Sequence, residues 1–141
     1  YCWGNADVSL SPPFVRLVPQ SVATPEPIVQ IATTQSIKTI QNGDSLERPQ
    51  RWCAVGASGA VYCWGYNAGG QAGDGTKNHA YEAVKVAGLP ESAVEVRAFP
   101  DSTCALLTSG KVYCWGTNLY GQLGNGKMRQ PSLVPQEVIL P

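Results

Sequence analysis

The apolar residues of this chain fall in short runs with strand-like alternation, separated by glycine, proline and polar turns. The runs predict strands at Phe14–Val18, Ile28–Ala32, Ser36–Ile40, Trp52–Gly56, Ala60–Trp64, Ala83–Val86, Val94–Ala98, Thr103–Leu107, Lys111–Trp115 and Glu137–Leu140. Almost nothing reads as helix. Pro12, Pro13, Pro19, Pro25 and Pro27 exclude one between Asn5 and Pro27, which reads as a long connection. Asn42-Gly43-Asp44 reads as a turn, and Glu47–Gln50 as a lead into the first complete hairpin. In Val112-Tyr113-Cys114-Trp115 both faces of the predicted strand are apolar, so its sheet must be covered on both sides.

The run from Val112 to Gly126 repeats the run from Val61 to Gly75, with ten of fifteen positions identical. A partial copy, Tyr1-Cys2-Trp3-Gly4, opens the chain. The intervals from Tyr1 to Tyr62 and from Tyr62 to Tyr113 are 61 and 51 residues, and the extra ten are expected in the proline-rich stretch. A period near 50 built from about four short strands is the signature of a propeller blade. The expected fold is therefore all-β: a partial ring of β-propeller blades, under three repeats of about 51 residues. Residues 1–61 read as a degenerate blade with the proline-rich insertion and the first hairpin strand. Residues 62–112 read as a complete repeat and 113–141 as the start of the next, all in one propeller domain. A propeller closes with about four blades or more. The chain is thus expected to belong to a longer protein, or to complete its ring with another chain.

Two three-residue loops, Ala57-Ser58-Gly59 and Thr108-Ser109-Gly110, predict hairpins closed by a left-handed glycine. Folding the chain there sets Cys53 opposite Cys63 and Cys104 opposite Cys114, both at non-hydrogen-bonded sites with Cα atoms roughly 4.5 Å apart. Each pair is expected to form a disulfide worth roughly 2–3 kcal/mol; the alternative is two pairs of free thiols packed as small hydrophobes. Disulfides would place the protein in an oxidising compartment: extracellular, cell-surface or periplasmic. By the same rule the partner of Cys2 would lie ten residues earlier, before Tyr1.

Cys104-Ala-Leu-Leu-Thr-Ser-Gly-Lys-Val-Tyr-Cys-Trp-Gly, continuing through Gln122 to Gly126, and its counterpart Cys53–Gly75 resemble the regulator of chromosome condensation (RCC1-type) repeat. The cysteine pairing is similar to that of exported bacterial members. The resemblance covers the second and third copies well and residues 5–50 poorly. Where such repeats usually carry Gly and His before the Cys-Ala-Leu, this chain has Pro49 and Arg51, then Pro100 and Ser102. The resemblance implies blades of a propeller that is usually seven-bladed. It also implies action on other proteins, since members include an exchange factor for a small GTPase and a secreted protein inhibitor.

Ten acids balance ten bases, and no basic cluster is present, so binding of nucleic acid through phosphates is not expected. No run of 18 apolar residues occurs, which argues against a membrane span. His79 is the only imidazole and no Cys-x-x-Cys spacing exists, so no metal site is expected and His79 reads as a surface loop residue. Asp44, Glu47, Asp74 and Asp101 read as turn residues. The glycines from Gly69 to Gly75 lack the following Lys-Ser/Thr of a phosphate cradle and recur as a blade corner. Asn67 and Asn118 are expected to bond their own loops, and Gln71 and Gln122 to tie those loops to a neighbouring strand. Trp3, Trp64 and Trp115 are expected in the core. Trp52 lies outside that register; with Arg48 and Arg51 it forms one candidate partner contact, and the insertion Asn5–Pro27 forms another.

These residues assign no catalytic group and no cofactor. The functional expectation is a non-catalytic, protein-binding or structural module of an exported protein or surface assembly. The alternative is a guanine-nucleotide exchange factor acting on a small GTPase, which requires a reducing compartment.

Overall fold

Two four-stranded antiparallel sheets grow outward from the two predicted hairpins. The structure, a computed structural model, describes residues 1–7, 14–35, 37–41, 44–48 and 50–140, with side chains at residues 1, 18–35 and 50–140. Its strands in chain order are β1 (Cys2–Asp7), β2 (Phe14–Gln20), β3 (Ile28–Thr33), β4 (Ile37–Gln41), β5 (Asp44–Arg48) and β6 (Arg51–Gly56). They continue as β7 (Val61–Gly65), β8 (Ala80–Lys85), β9 (Ala93–Ala98), β10 (Ser102–Leu107), β11 (Val112–Gly116) and β12 (Ser132–Glu137). The first sheet runs β3-β6-β7-β8 and the second β9-β10-β11-β12, while β1-β2 and β4-β5 are separate two-stranded pairs.

The hairpin registers are those the three-residue loops impose. Cys53 faces Cys63 and Cys104 faces Cys114. Gly59 and Gly110 adopt φ of 82° and 86°, the left-handed values that close such loops. Disulfides join Cys53 to Cys63 and Cys104 to Cys114, each across a Cα–Cα distance of 4.1 Å.

Three expectations need correction. Where a strand at Ser36–Ile40 and a lead at Glu47–Gln50 were expected, Ile37–Gln41 and Asp44–Arg48 pair as the hairpin β4-β5, with Lys38 opposite Glu47 and Ile37 opposite Arg48; Ser36 and Pro49 lie outside the described residues. Glu47 therefore sits within a strand, whereas Asn42 and Gly43 lie outside the described residues. Secondly, the longer first interval does not come from the proline-rich stretch. Seventeen residues separate β3 from β6, against three between β9 and β10, so the insertion is the segment that carries β4-β5. Thirdly, the last strand is Ser132–Glu137 rather than Glu137–Leu140. β12 contains Pro135 and tolerates it as an edge strand, where a missing N–H costs no ladder bond.

The two sheets stack as partial propeller blades. Cys53, Val55, Val61 and Cys63 of the first blade pack against Val96, Ala105, Leu107 and Trp115 of the second in one buried core. Trp115 is fully buried and its indole N–H donates to the Gln71 carbonyl at 2.8 Å. A Cβ at Gly73 would lie 2.5 Å from Trp115 Nε1, and φ there is +72°. At Gly75 φ is +87° but nothing lies within 4 Å. Gly73→Ala is therefore expected to cost at least ~3 kcal/mol, combining backbone strain with a clash in a packed interface. Gly75→Ala should cost only ~1–2 kcal/mol from the backbone alone. Urea denaturation of both variants checks the difference, and equal losses would refute the close approach.

A carboxylate caps the turn of each disulfide-bearing hairpin. Glu26 accepts from Ser58 N (2.7 Å), Ser58 Oγ (2.6 Å) and Tyr62 OH (2.9 Å). Glu91 accepts from Thr108 Oγ1 at 2.8 Å and Ser109 Oγ at 2.5 Å. The Ser58 side-chain and backbone bonds, with smaller help from Tyr62 and Lys85, hold the Glu26 carboxyl below the usual range. A carboxyl with a lowered native pKa stabilises the fold above the unfolded-state value of about 4.3. That contribution is lost as pH falls through the native value. Glu26→Gln should therefore lose less thermal stability than the native chain between about pH 6 and pH 3, measured by circular-dichroism melting.

Candidate functional site

The three candidate contact residues part company in the structure. Arg48 ends β5 opposite Ile37, at the base of the inserted hairpin, and its side chain lies outside the described residues. Arg51, expected at the surface, is instead buried at 1% exposure. Its Nη2 donates to the carbonyls of Phe99 (2.6 Å) and Ser102 (2.8 Å) on the second blade. Burial pushes its pKa down to about 10, against a raising influence from Asp101, so it stays protonated at neutral pH. The reason it escapes solvent is positional: β6 is an interior strand, and Arg51 faces the neighbouring blade rather than the rim. Trp52 is half-buried and stacks on Trp64 across the β6-β7 ladder, with centroids 6.4 Å apart and planes 11° from parallel. That is cross-strand packing.

The glycine-rich loops are built as expected at their asparagines. Asn67 Oδ1 accepts from Ala72 N (2.7 Å) and its Nδ2 donates to the carbonyls of Asn78 (2.9 Å) and Thr76 (3.2 Å). Asn118 repeats this with Leu123 N and the Lys127 carbonyl, both at 3.1 Å. The glutamines do something else. Gln71 Oε1 accepts from Gly69 N and Gln122 Oε1 from Tyr120 N, both within their own loops. The tie to the neighbouring blade is made by the Gln71 main-chain carbonyl, which accepts from Thr103 Oγ1 as well as from Trp115.

His79 is not a loose surface residue. It is half-buried, its Nδ1 accepts from Asn67 N at 3.0 Å, and it stacks on Tyr66 at 5.1 Å. Asp74 caps its turn by accepting from Thr76 N and Oγ1. The Asp101 carbonyl accepts from Thr117 N. Among the described residues no three His, Cys, Asp or Glu side chains converge as a metal site, and no helix is long and apolar enough to cross a membrane.

One blade-to-blade clamp was missed by the sequence reading altogether. The Gln30 amide brackets Val96, donating to its carbonyl (3.1 Å) and accepting from its N–H (3.0 Å). The position equivalent to Gln30 in the second blade is Glu95, ion-paired with Arg97.

Two stacked blades with a tryptophan knob, a glycine-loop socket and hairpin carboxylates thus make up the described unit. Residues 101–122 match the regulator of chromosome condensation (RCC1) repeat. Over 79 residues the chain is 35% identical to the ultraviolet-B receptor UVR8 of Arabidopsis thaliana, covering 55% of this chain and 18% of that protein. Over 85 residues it is 38% identical to human E3 ubiquitin-protein ligase HERC2, covering 57% of this chain and 2% of that protein. Its fold is similar to yeast RCC1 (Prp20) solved bound to Kap60, with a TM-score of 0.72 at 19% identity over 99% of this chain and 31% of that one. The chain therefore spans less than a fifth of either sequence relative and under a third of the yeast propeller. The insertion between β3 and β6 sets the first blade apart from the second.

Proposed function

We propose that the chain is a protein-binding propeller module of an exported protein, and that it engages its partner through the hairpin β4-β5. The observation that carries this reading is the insertion itself, a paired element that joins neither blade sheet. Insertions in repeat proteins map to loops on one face, often the binding face. Arg48 stands at its base, opposite Ile37. Within it Lys38 stands opposite Glu47, in a register set by the hairpin alone. Export is supported by the two disulfides, which persist in oxidising compartments. Yeast RCC1, in complex with Kap60, offers a precedent for a propeller of this fold holding a protein partner.

The test replaces the hairpin with a short linker between Thr34 and Gln50. The blades should melt as before, while a partner cross-linked to the native chain in the extracellular fraction is no longer captured. A partner retained without the hairpin would sink the assignment. Acceleration of fluorescent-GDP release from a small GTPase would favour the exchange-factor reading instead. Thiols alkylated at lysis and counted after denaturation separate the compartments: one reactive cysteine supports export, four or five a reducing interior.

A further inference from the structure

The hairpin β4-β5 is an internal insertion, between β3 and β6 of the first blade, and among the described strands each of its two strands pairs only with the other. A two-stranded ribbon is marginal by itself and keeps a row of unpaired backbone groups along each edge. The register shows which groups those are. Gln41 pairs with Asp44 across a two-residue connection, so this closing pair is of the hydrogen-bonded kind. By alternation so are Thr39 with Leu46 and Ile37 with Arg48. Ser45 and Glu47 are therefore the residues of β5 whose N–H and C=O point away from β4. The two edges differ in what they suit. Turned antiparallel against itself about Thr39, β4 sets Lys38 across from Ile40, with no charge matched. Turned antiparallel against itself about Leu46, β5 sets Asp44 across from Arg48 at both ends and Leu46 across from Leu46. The same register sets Ser45 across from Glu47, the residues that carry the outward groups, and each such pair can exchange both backbone bonds. The charged pairs and the leucines then fall at non-hydrogen-bonded sites, where facing residues lie closest.

We propose that β5 is a self-pairing edge, at which a second copy of this chain adds its own β5 antiparallel and joins the two hairpins in one sheet. The inference rests on the reading of β4-β5 as the contact element and names its occupant. Opposite charges at facing positions stabilise strand pairing, and like charges there oppose it. The strand this edge prefers therefore reads acid, apolar, base at alternate positions, which is what Asp44, Leu46 and Arg48 present. The contact is short, well below the roughly 1,200–2,000 Å² of a standard interface, so the dimer is weak and reversible.

Sedimentation equilibrium of the chain should show a reversible monomer–dimer equilibrium that is lost when a linker replaces the hairpin. Asp44→Arg sets like charges across from each other at both ends of the contact, and so does Arg48→Asp. Neither residue has a charged neighbour across the β4-β5 ladder, where they face Gln41 and Ile37. Each variant alone should dimerise at least about tenfold more weakly than the native chain. Mixed in equal amounts the two should associate as tightly as the native chain, because each then meets its opposite. Ser45→Pro removes an outward N–H without taking a bond from β4, and it too should leave the chain monomeric. A native chain that stays monomeric up to about 1 mM would overturn the self-pairing. Hairpin-dependent capture of another protein by that monomer would do the same, while leaving the reading of β4-β5 as a contact element in place. Dimerisation unchanged in the chain without the hairpin, or a mixture no tighter than its components, would put the contact elsewhere and overturn the proposal.

Discussion

Trp115→Ala is expected to destabilise the chain by ~3–5 kcal/mol, because it deletes a fully buried aromatic and leaves a cavity in the interface. Against a typical total of about 5–15 kcal/mol, that loss can leave the fold marginal. Two contributions can be separated. Trp115→Phe keeps most of the apolar contact with Ala72, Val61 and the disulfide of the first blade but removes the indole N–H from the Gln71 carbonyl. Thr103 Oγ1 still donates there, so the carbonyl is not abandoned, and Phe should cost only ~1–2 kcal/mol. Trp64 is the internal control. It holds the equivalent place in the first blade and is equally buried, yet its Nε1 has no hydrogen-bond partner among the described residues. Trp64→Phe should therefore be the milder of the two phenylalanine changes, since it removes an unsatisfied donor rather than a satisfied one. Urea denaturation of the three variants gives the answer. A Trp64→Phe loss equal to that of Trp115→Phe would mean the indole hydrogen bond contributes nothing.

Much of this was legible before any coordinates, for a physical reason: a three-residue loop fixes which residues face each other. Register then follows, and with it both disulfides and the burial of Trp64 and Trp115. The blade corners were legible because Asn67 and Asn118 recur with the same glycines around them. What escaped detection depended on segments too far apart for local pattern to connect. Glu26 lies 32 residues from Ser58, and Glu91 only 18 from Ser109, so the two caps have different sequence spacing. The difference is the inserted hairpin. A signal was nevertheless present, for Pro25-Glu26 and Pro90-Glu91 each stand two residues before the first strand of a sheet. Gln30 carried no such mark; its role exists only because Val96 of the next blade offers both a donor and an acceptor.

Arg51 shows the same limit with a larger energy attached. A charged residue beside a half-exposed tryptophan reads as surface, but what decides its fate is the pair of carbonyls that the next blade presents. Arg51→Ala should cost ~2–4 kcal/mol, since it opens a cavity between blades and removes the donor from the Phe99 carbonyl. The Ser102 carbonyl fares better, because Phe99 N also donates to it. Arg51→Met is the informative comparison. It fills similar volume and no longer buries a charge, which offsets part of the lost hydrogen bonding. With Nε and Nη1 already lacking hydrogen-bond partners among the described residues, the guanidinium recovers little beyond its two Nη2 contacts. Met should thus fall within ~1 kcal/mol of the native chain, well above Ala. Chemical denaturation of both variants decides between the two contributions. A Met variant as damaged as Ala would mean that the charge-assisted bonds, and not the filled space, hold the blades together at this point. An Ala variant as stable as the native chain would show the guanidinium standing in water after all.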